Sequence, residues 1–524
     1  MFDKELKARY IYPLLIIIAF VLLSSNIGGS SIYILDEAKN SECAREMLER
    51  GNGVVPTFNY ELRTDKPPLH YYFMMLGYSI FGVNEYGARF FSAIFGLLTI
   101  LITFYYMRRF LGTKQALLTA VILLSSFHFI LEFHLAVPDP YLIFFMTLTF
   151  LTFYDFYRNK NKSSLWLMYL AIGLGTLSKG PVAIALPGLI FFIFLILRKG
   201  RQWELIKSYK PLWGALLVLA INVPWYYWVG VETSWEWTRG FFLEHNINRF
   251  MDTKQGHGGV FLITPAYVFF GMLPFAVFMI QAFVRNSKIL RNDDFVTFSF
   301  ITAMVIILFF TISGTKLPNY TIPAYPFIAA VTAYFITIQA NPNKLWPFYL
   351  HIFVSLLMPA ALYAALSYEK TLTHLTPLAY WFMVLPASGV IALIFQYQKR
   401  FRHALNALII GWIATSMLFF YVIYPEVNKA NPVYQTYEKT NLNAKSVAYY
   451  GKFNPAYMFY LQRKLPELET TEEVSDFLRQ NDAVVITTKK YLDELAAVAN
   501  KKLLLKQKDL FEKPTTVVFV PADK

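Results

Sequence analysis

The sequence predicts an α-helical polytopic membrane protein with a small α/β domain at its C-terminal end. Three observations carry this. The 524 residues are 56% hydrophobic and only 16% charged, against about 25% charged in a typical soluble domain, and the mean hydropathy is +0.40. Apolar runs recur as far as about residue 424, each near the ~20 residues that a membrane helix needs. Past Tyr424 the apolar runs stop and the composition turns polar.

The elements follow in chain order. Lys4, Lys7 and Arg9 precede a long apolar run with no small-residue cleavage site, which predicts a retained first span. Thirteen stretches read as spans: 10–29, 86–107, 115–133, 139–157, 164–178, 181–197, 211–229, 260–284, 295–312, 321–339, 345–366, 377–396 and 404–424. Only Lys179-Gly180 separates the fifth from the sixth, the pattern of a tight hairpin at the membrane surface. Residues 69–81 are aromatic-rich and too short to span, which predicts an interfacial helix. Between Tyr424 and the C-terminus, Ser446–Tyr450, Ala483–Thr487 and Thr515–Val520 read as strands. Thr471–Arg479 and Tyr491–Ala499 read as helices, the first with a capping start at Thr470-Thr471-Glu472-Glu473. The chain thus divides into a membrane unit, 1–424, with outer loops 30–85 and 230–258, and an extracytoplasmic α/β unit, 425–524.

The net charge of +14 is what positive-inside topology produces. With the N-terminus inside, the inside loops collect Arg108, Arg109, Lys114, Arg158, Lys160, Lys162, the 198–210 cluster, Arg285, Lys288, Arg291, Lys344, Lys399, Arg400 and Arg402, whereas the short outside connections carry only Lys179, Lys316 and Lys370. The C-terminal unit then lies outside. Charge scattered among spans excludes a nucleic-acid role. The single cysteine, Cys43, excludes an intrachain disulfide.

The chemistry-bearing residues sort to the outer side. Asp36, Glu37, Asp65 and Lys66 lie in the first outer loop, the last two stiffened by Pro67-Pro68. Asp139 opens the fourth span, and Lys179 sits in the outer hairpin. His245, Asn246, Arg249 and His257 fall in the loop 230–258, and Lys316, Asn319 and Tyr320 in 313–320. Acids and cations gathered on one side suit a surface active site; snorkelling charges would decorate both sides. Several have plainer readings: Asp36 and Asp139 as helix caps, Lys179 as a snorkelling lysine, and Trp225–Trp228 and Trp235–Trp237 as an interfacial belt.

These residues resemble a known family. Asp36-Glu37 with the following ECAREML, Asp65-Lys66-Pro67-Pro68-Leu69, Asp139, Ser178-Lys179-Gly180-Pro181, Glu244-His245-Asn246 with Arg249, Phe250 and His257, and Lys316-Leu317-Pro318-Asn319-Tyr320 with Pro323 are similar, in order and in topological side, to the lipid-phosphate-sugar glycosyltransferases of the GT-C fold. The likeness is closest to the bacterial aminoarabinose (lipid A) transferases and more distant to the protein O-mannosyltransferases. It implies a polyprenyl-phosphate-sugar donor, an acceptor that is lipid A, another glycan or a protein, and a place in the bacterial cytoplasmic membrane. It implies Asp36 as catalytic, with Glu37 and Asp139 as further candidates. Lys66, Lys179, Arg249 and Tyr320 would hold the lipid phosphate. Asp65, where the family usually has Glu, and His257 would contribute to a divalent-metal site (Zn, Mg or Mn).

The physics runs the same way. A sugar donor outside the cytoplasm is most simply lipid-linked, and it leaves as a phosphate whose charge must be stabilised by cations. A carboxylate is suited to deprotonating an acceptor hydroxyl. The alternative is a polytopic transporter or lipid flippase, but those place ionisable groups at the bilayer midplane.

Overall fold

The computed structural model describes residues 8–197, 202–247, 261–285, 293–510 and 512–522. Among these, seven helices are long and apolar enough to cross a membrane: Glu85–Leu111, Pro211–Glu232, Asp294–Ile312, Pro318–Ile338, Trp346–Tyr368, Lys370–Tyr397 and Phe401–Lys429. The other expected spans form shorter or more polar helices. They include α1 (Ala8–Leu23), α7 (Asp139–Asn159), α8 (Lys162–Lys179) and α9 (Val182–Ile196). Two expected spans are broken. The run 115–133 is split into α5 (Thr113–Ser125) and α6 (Phe127–Glu132) at Ser126, whose hydroxyl accepts from the Phe129 amide at 3.3 Å. The run 260–284 is split into Ile263–Gly271 and Ala276–Val284, because Pro274 between them supplies no amide hydrogen.

Two features of the helical part position the site. First, α7 and α8 form an antiparallel hairpin. At its closed end Asp155, fully buried, accepts hydrogen bonds from Asn159, Asn161 and Ser164 and pairs with Arg109 at 3.2 Å. At its open end the first residue of α7, Asp139, therefore meets the last residue of α8, Lys179. Gly180 takes φ +91° to end α8, a conformation that strains residues with a Cβ. Second, the outer loop folds into α2 (Leu35–Glu49), a two-stranded ribbon of β1 (Thr57–Phe58) and β2 (Glu61–Leu62), and α3 (Leu69–Phe81), which begins directly after Pro67-Pro68. Helix α2 buries charged and polar residues beside its apolar Ala38, Cys43, Ala44 and Met47. Glu37, Asn40, Glu42, Arg45 and Glu46 are all buried, so each needs partners. Arg45 grips Glu42 through two bonds of 2.8 and 2.7 Å, and Glu46 accepts from the Thr57 hydroxyl at 2.5 Å and the Tyr60 amide at 3.0 Å.

The last eighty residues build a five-stranded sheet in the order β4-β3-β5-β7-β6. Here β3 is Ser446–Tyr450, β4 Glu467–Leu468, β5 Ala483–Thr488, β6 Lys501–Lys508 and β7 Thr515–Pro521. Strands β3, β4 and β5 run parallel, and β7 is antiparallel to β5 and β6. Thr471–Phe477 is a helix whose Thr470 hydroxyl accepts from the Glu473 amide at 3.2 Å. The expected helix Tyr491–Ala499 is instead a run of turns, bonded mostly three residues apart; that spacing turns Leu495 and Val498 together onto the sheet, where both are buried.

The sheet unit is tied to the outer loop. Asn59 makes a reciprocal pair with the backbone of Leu465, donating to its carbonyl at 3.0 Å and accepting from its amide at 2.9 Å. Lys508 pairs with Glu369 at 2.9 Å.

Candidate active site

A cavity of about 610 Å³ opens between the outer loop and the open end of the α7–α8 hairpin. Its polar end carries Asp65, Lys66, Asp139, Lys179, Asn319 and Tyr320. Its other walls are apolar, built from Leu142, Met146, Val182, Leu186, Phe309 and Phe310 among others. Six sequence candidates from four separate segments thus share one cavity.

The two lysines are held differently. Lys179 pairs with the Asp139 carboxylate and lies over the Tyr320 ring, 4.9 Å from its centroid; a cation over an aromatic face is attracted by the ring quadrupole. Asp139 is buried and makes no cap hydrogen bond, so its carboxylate serves the lysine rather than the helix end. Lys66 is buried, and its ammonium stands 4.0 Å from Asp36. Helix α2 begins at Leu35 with Ile34 as its non-bonding cap, so Asp36 sits in the first turn and is not the N-cap. Its side chain is 53% exposed, open to solvent beside Lys66.

Glu37, one residue on, points away from this cavity. It is fully buried, takes two bonds from Arg89 at 2.7 and 2.9 Å, and accepts from the Ala136 amide at 2.9 Å. Arg89 also donates to the carbonyls of Ile27 and Ser30, both at 2.7 Å. Glu37 thereby pins α2 to the helical part. Glu37→Gln leaves the buried guanidinium without its counter-charge, and such a loss costs about 3–5 kcal/mol. We expect a correspondingly lower thermal midpoint in detergent; an unchanged midpoint would show that the pair is not holding α2.

Asp65 pairs with Arg63 at 3.3 Å, and Arg63 in turn donates to Asn40 at 3.0 Å. Trp237 fixes the loop beneath: it is fully buried, donates from Nε1 to the Arg63 carbonyl at 2.9 Å, and packs against Trp225 and Phe241. The aromatic belt is therefore split, with Trp225 and Trp237 inward and Tyr227 and Trp228 outward. His70, on α3, is fully buried, and desolvation, with Arg63 and Lys66 nearby, holds its pKa well below the usual value. It is neutral at physiological pH.

Arg249 and His257 lie outside the described residues, as do the side chains of His245 and Asn246. Among the described residues no group of three or more His, Cys, Asp or Glu side chains could hold a metal ion. Asp65 is paired with Arg63, and its expected metal-binding partner His257 is outside the described residues. Sequence reasoning missed Arg89, Arg63 and Glu132. Arg89 had a signal, because an arginine inside an apolar run demands a partner. Glu132 ends α6 buried, with one carboxylate oxygen unpartnered, within electrostatic reach of Asp139, Lys179 and Asp36.

Comparison with known proteins places this geometry. Residues 65–228, which include Asp65, Lys66, Asp139 and Lys179, match the family model of dolichyl-phosphate-mannose-protein mannosyltransferases. The chain is 28% identical over 324 residues to an undecaprenyl phosphate-alpha-4-amino-4-deoxy-L-arabinose arabinosyl transferase of Pseudomonas fluorescens. The crystal structure of ArnT from Cupriavidus metallidurans bound to undecaprenyl phosphate superposes with a TM-score of 0.78 at 21% identity, over 98% of both chains. The chain shares the fold of the GT-C lipid-phosphate-sugar glycosyltransferases. Among the described residues, its seven long apolar helices fit a membrane protein. The Pseudomonas match takes in 61% of this chain and 58% of that enzyme. A relative from Aquifex aeolicus is 31% identical over 412 residues, 75% of this chain and 80% of its own length. The GT-C fold alone is shared with the archaeal oligosaccharyltransferase AglB of Archaeoglobus fulgidus, with a TM-score of 0.51 and 13% identity.

Proposed function

We propose that the protein transfers a sugar from a polyprenyl-phosphate donor to an acceptor (lipid A, another glycan or lipid, or a protein) at the outer face of the bacterial cytoplasmic membrane. The cavity carries this reading: it joins a lysine-bearing polar end to apolar walls, the two environments that a phosphate on a long hydrocarbon requires. Relatives named for transfer from undecaprenyl phosphate-aminoarabinose support it. In the reaction an acceptor oxygen attacks the anomeric carbon, and the bond from that carbon to the phosphate oxygen breaks with its electron pair leaving on the phosphate. Lys66 and Lys179, together with the sequence candidate Arg249, meet that charge, with Tyr320 beneath Lys179. Asp36 takes the acceptor proton. Asp139 acts through Lys179, and Glu37 through the placement of α2.

The deciding assay is direct. Purified protein in nanodiscs, given undecaprenyl-phosphate-aminoarabinose and lipid A, should yield lipid A heavier by one aminoarabinose in intact-mass analysis. Donor consumption with no mass added to lipid A, glycan or protein acceptors would overturn transfer.

The proposal extends to topology: thirteen membrane crossings, with the N-terminus cytoplasmic and residues 425–524 outside. Helix alternation supports it, since Arg108, Arg109, Arg158 and Lys162 fall at the helix ends opposite Asp139 and Lys179. Single cysteines at Lys370 and Lys489, in a Cys43→Ser background, should react with an impermeant maleimide in spheroplasts. Reaction only after lysis would reverse the orientation.

A further inference from the structure

A second cavity, of about 350 Å³, lies where the ends of the helical part meet the C-terminal unit, and shares no lining residue with the first. Its volume is within the range of small-molecule sites, about 300–1,000 Å³. One wall is the backbone of residues 28–31, just past α1. The others bring Glu85, Asn428, Lys429 and three tyrosines, Tyr434, Tyr437 and Tyr460.

The walls are built before any ligand arrives. Tyr460 donates its hydroxyl to one Glu85 oxygen at 2.7 Å and accepts from the Ile32 amide at 2.8 Å. Asn428 accepts from the Ser31 amide at 3.0 Å and donates to its carbonyl at 3.3 Å. The Tyr437 and Tyr460 rings stand 5.9 Å apart, inclined at 68°, so they form two walls of a corner rather than one stacked pair.

Charge narrows the ligand. Glu85 and Lys429 carry opposite charges, and Lys429 is already paired with Glu426 at 2.8 Å. A phosphate would meet a carboxylate and no uncommitted cation here. A hydrocarbon would leave a carboxylate to be desolvated, which is costly. A pyranose satisfies both demands: its C–H face lies on an aromatic ring, which offers a large apolar body, and its hydroxyl rim meets a carboxylate that accepts.

We propose that this cavity is a saccharide-binding site separate from the transfer cavity, taking a neutral pyranose against the tyrosine corner with Glu85 on its hydroxyls. The sugar of a glycolipid at the membrane surface and a free saccharide share that chemistry, and the test separates them. Full-length protein in nanodiscs is probed by saturation-transfer NMR with maltose and, below its micelle threshold, with octyl β-glucoside. Pyranose ring protons should receive saturation above the protein-free nanodisc level. A stronger response from octyl glucoside assigns a membrane-anchored sugar, and an equal or stronger one from maltose a free one. Glu85→Gln and Tyr437→Ala should each weaken binding about tenfold, as loss of one polar or stacking contact does, while Tyr437→Phe, which keeps the ring, retains it. Matching thermal midpoints certify that the variants are folded. No response above protein-free nanodiscs, or responses that folded Glu85→Gln and Tyr437→Ala leave at wild-type level, would overturn the assignment.

Discussion

Asp36→Asn should lower kcat for sugar transfer about 100- to 10,000-fold, the range that a positioned general base supplies, and leave the protein folded. The two halves of that expectation rest on separate observations. Asp36 is not a helix cap, stands 4.0 Å from the Lys66 ammonium and is half-exposed; its place near a helix N-terminus is worth about 0.3–1 kcal/mol. The thermal midpoint should accordingly move by only a few degrees. The kinetic half separates two roles. If Asp36 only tunes Lys66, donor KM rises and kcat holds; if it takes the acceptor proton, kcat falls and donor KM holds. A variant with wild-type kcat would remove Asp36 from the chemistry.

Lys179→Ala has the second largest expected effect, and it acts on two quantities. Losing one charge-assisted contact to the leaving phosphate costs about 2–4 kcal/mol of transition-state stabilisation, or roughly 30- to 1,000-fold in kcat/KM. It also strands Asp139, whose side chain is 6% exposed, and an unpaired buried charge costs about 3–5 kcal/mol of stability. The double variant Lys179→Ala/Asp139→Asn separates the two. Removing the stranded carboxylate should restore most of the thermal midpoint and none of the activity. If activity returned with stability, the lysine would be a structural counter-ion and the phosphate would be held elsewhere.

Much of this site was legible because its residues sit at the ends of long apolar runs, where a charge stands out. Asp139 and Lys179 could be placed on one side from the alternation of spans alone, and the hairpin that joins them follows from Lys179-Gly180 and the Arg158–Lys162 turn. Glu37 was visible as a candidate, but its direction was not: facing Arg89 rather than the cavity depends on how α2 docks, which no local pattern encodes. The polar burial of α2 was likewise hidden, because Glu42 and Glu46 look like a solvated face until Arg45 and the ribbon residues Thr57 and Tyr60 engage them. In that unit the strands Ser446–Tyr450 and Thr515–Pro521 announce themselves by β-branched and aromatic residues. Strand Lys501–Lys508 does not, since edge strands carry lysine against unwanted pairing. The turns at 491–499 imitate a helix because Leu495 and Val498 are three apart in either geometry.

The bond pair between Asn59 and Leu465 spans 406 positions of the chain, and that has a consequence for biogenesis. Ribosomes add about 5–20 residues per second, so the loop bearing Asp36 and Lys66 emerges roughly 20–80 s before the segment that fastens it. A product that stops short of Leu465 but past Tyr320 carries every candidate reacting residue yet lacks the piece that latches their loop, so the loop is fastened only in chains translated past Leu465.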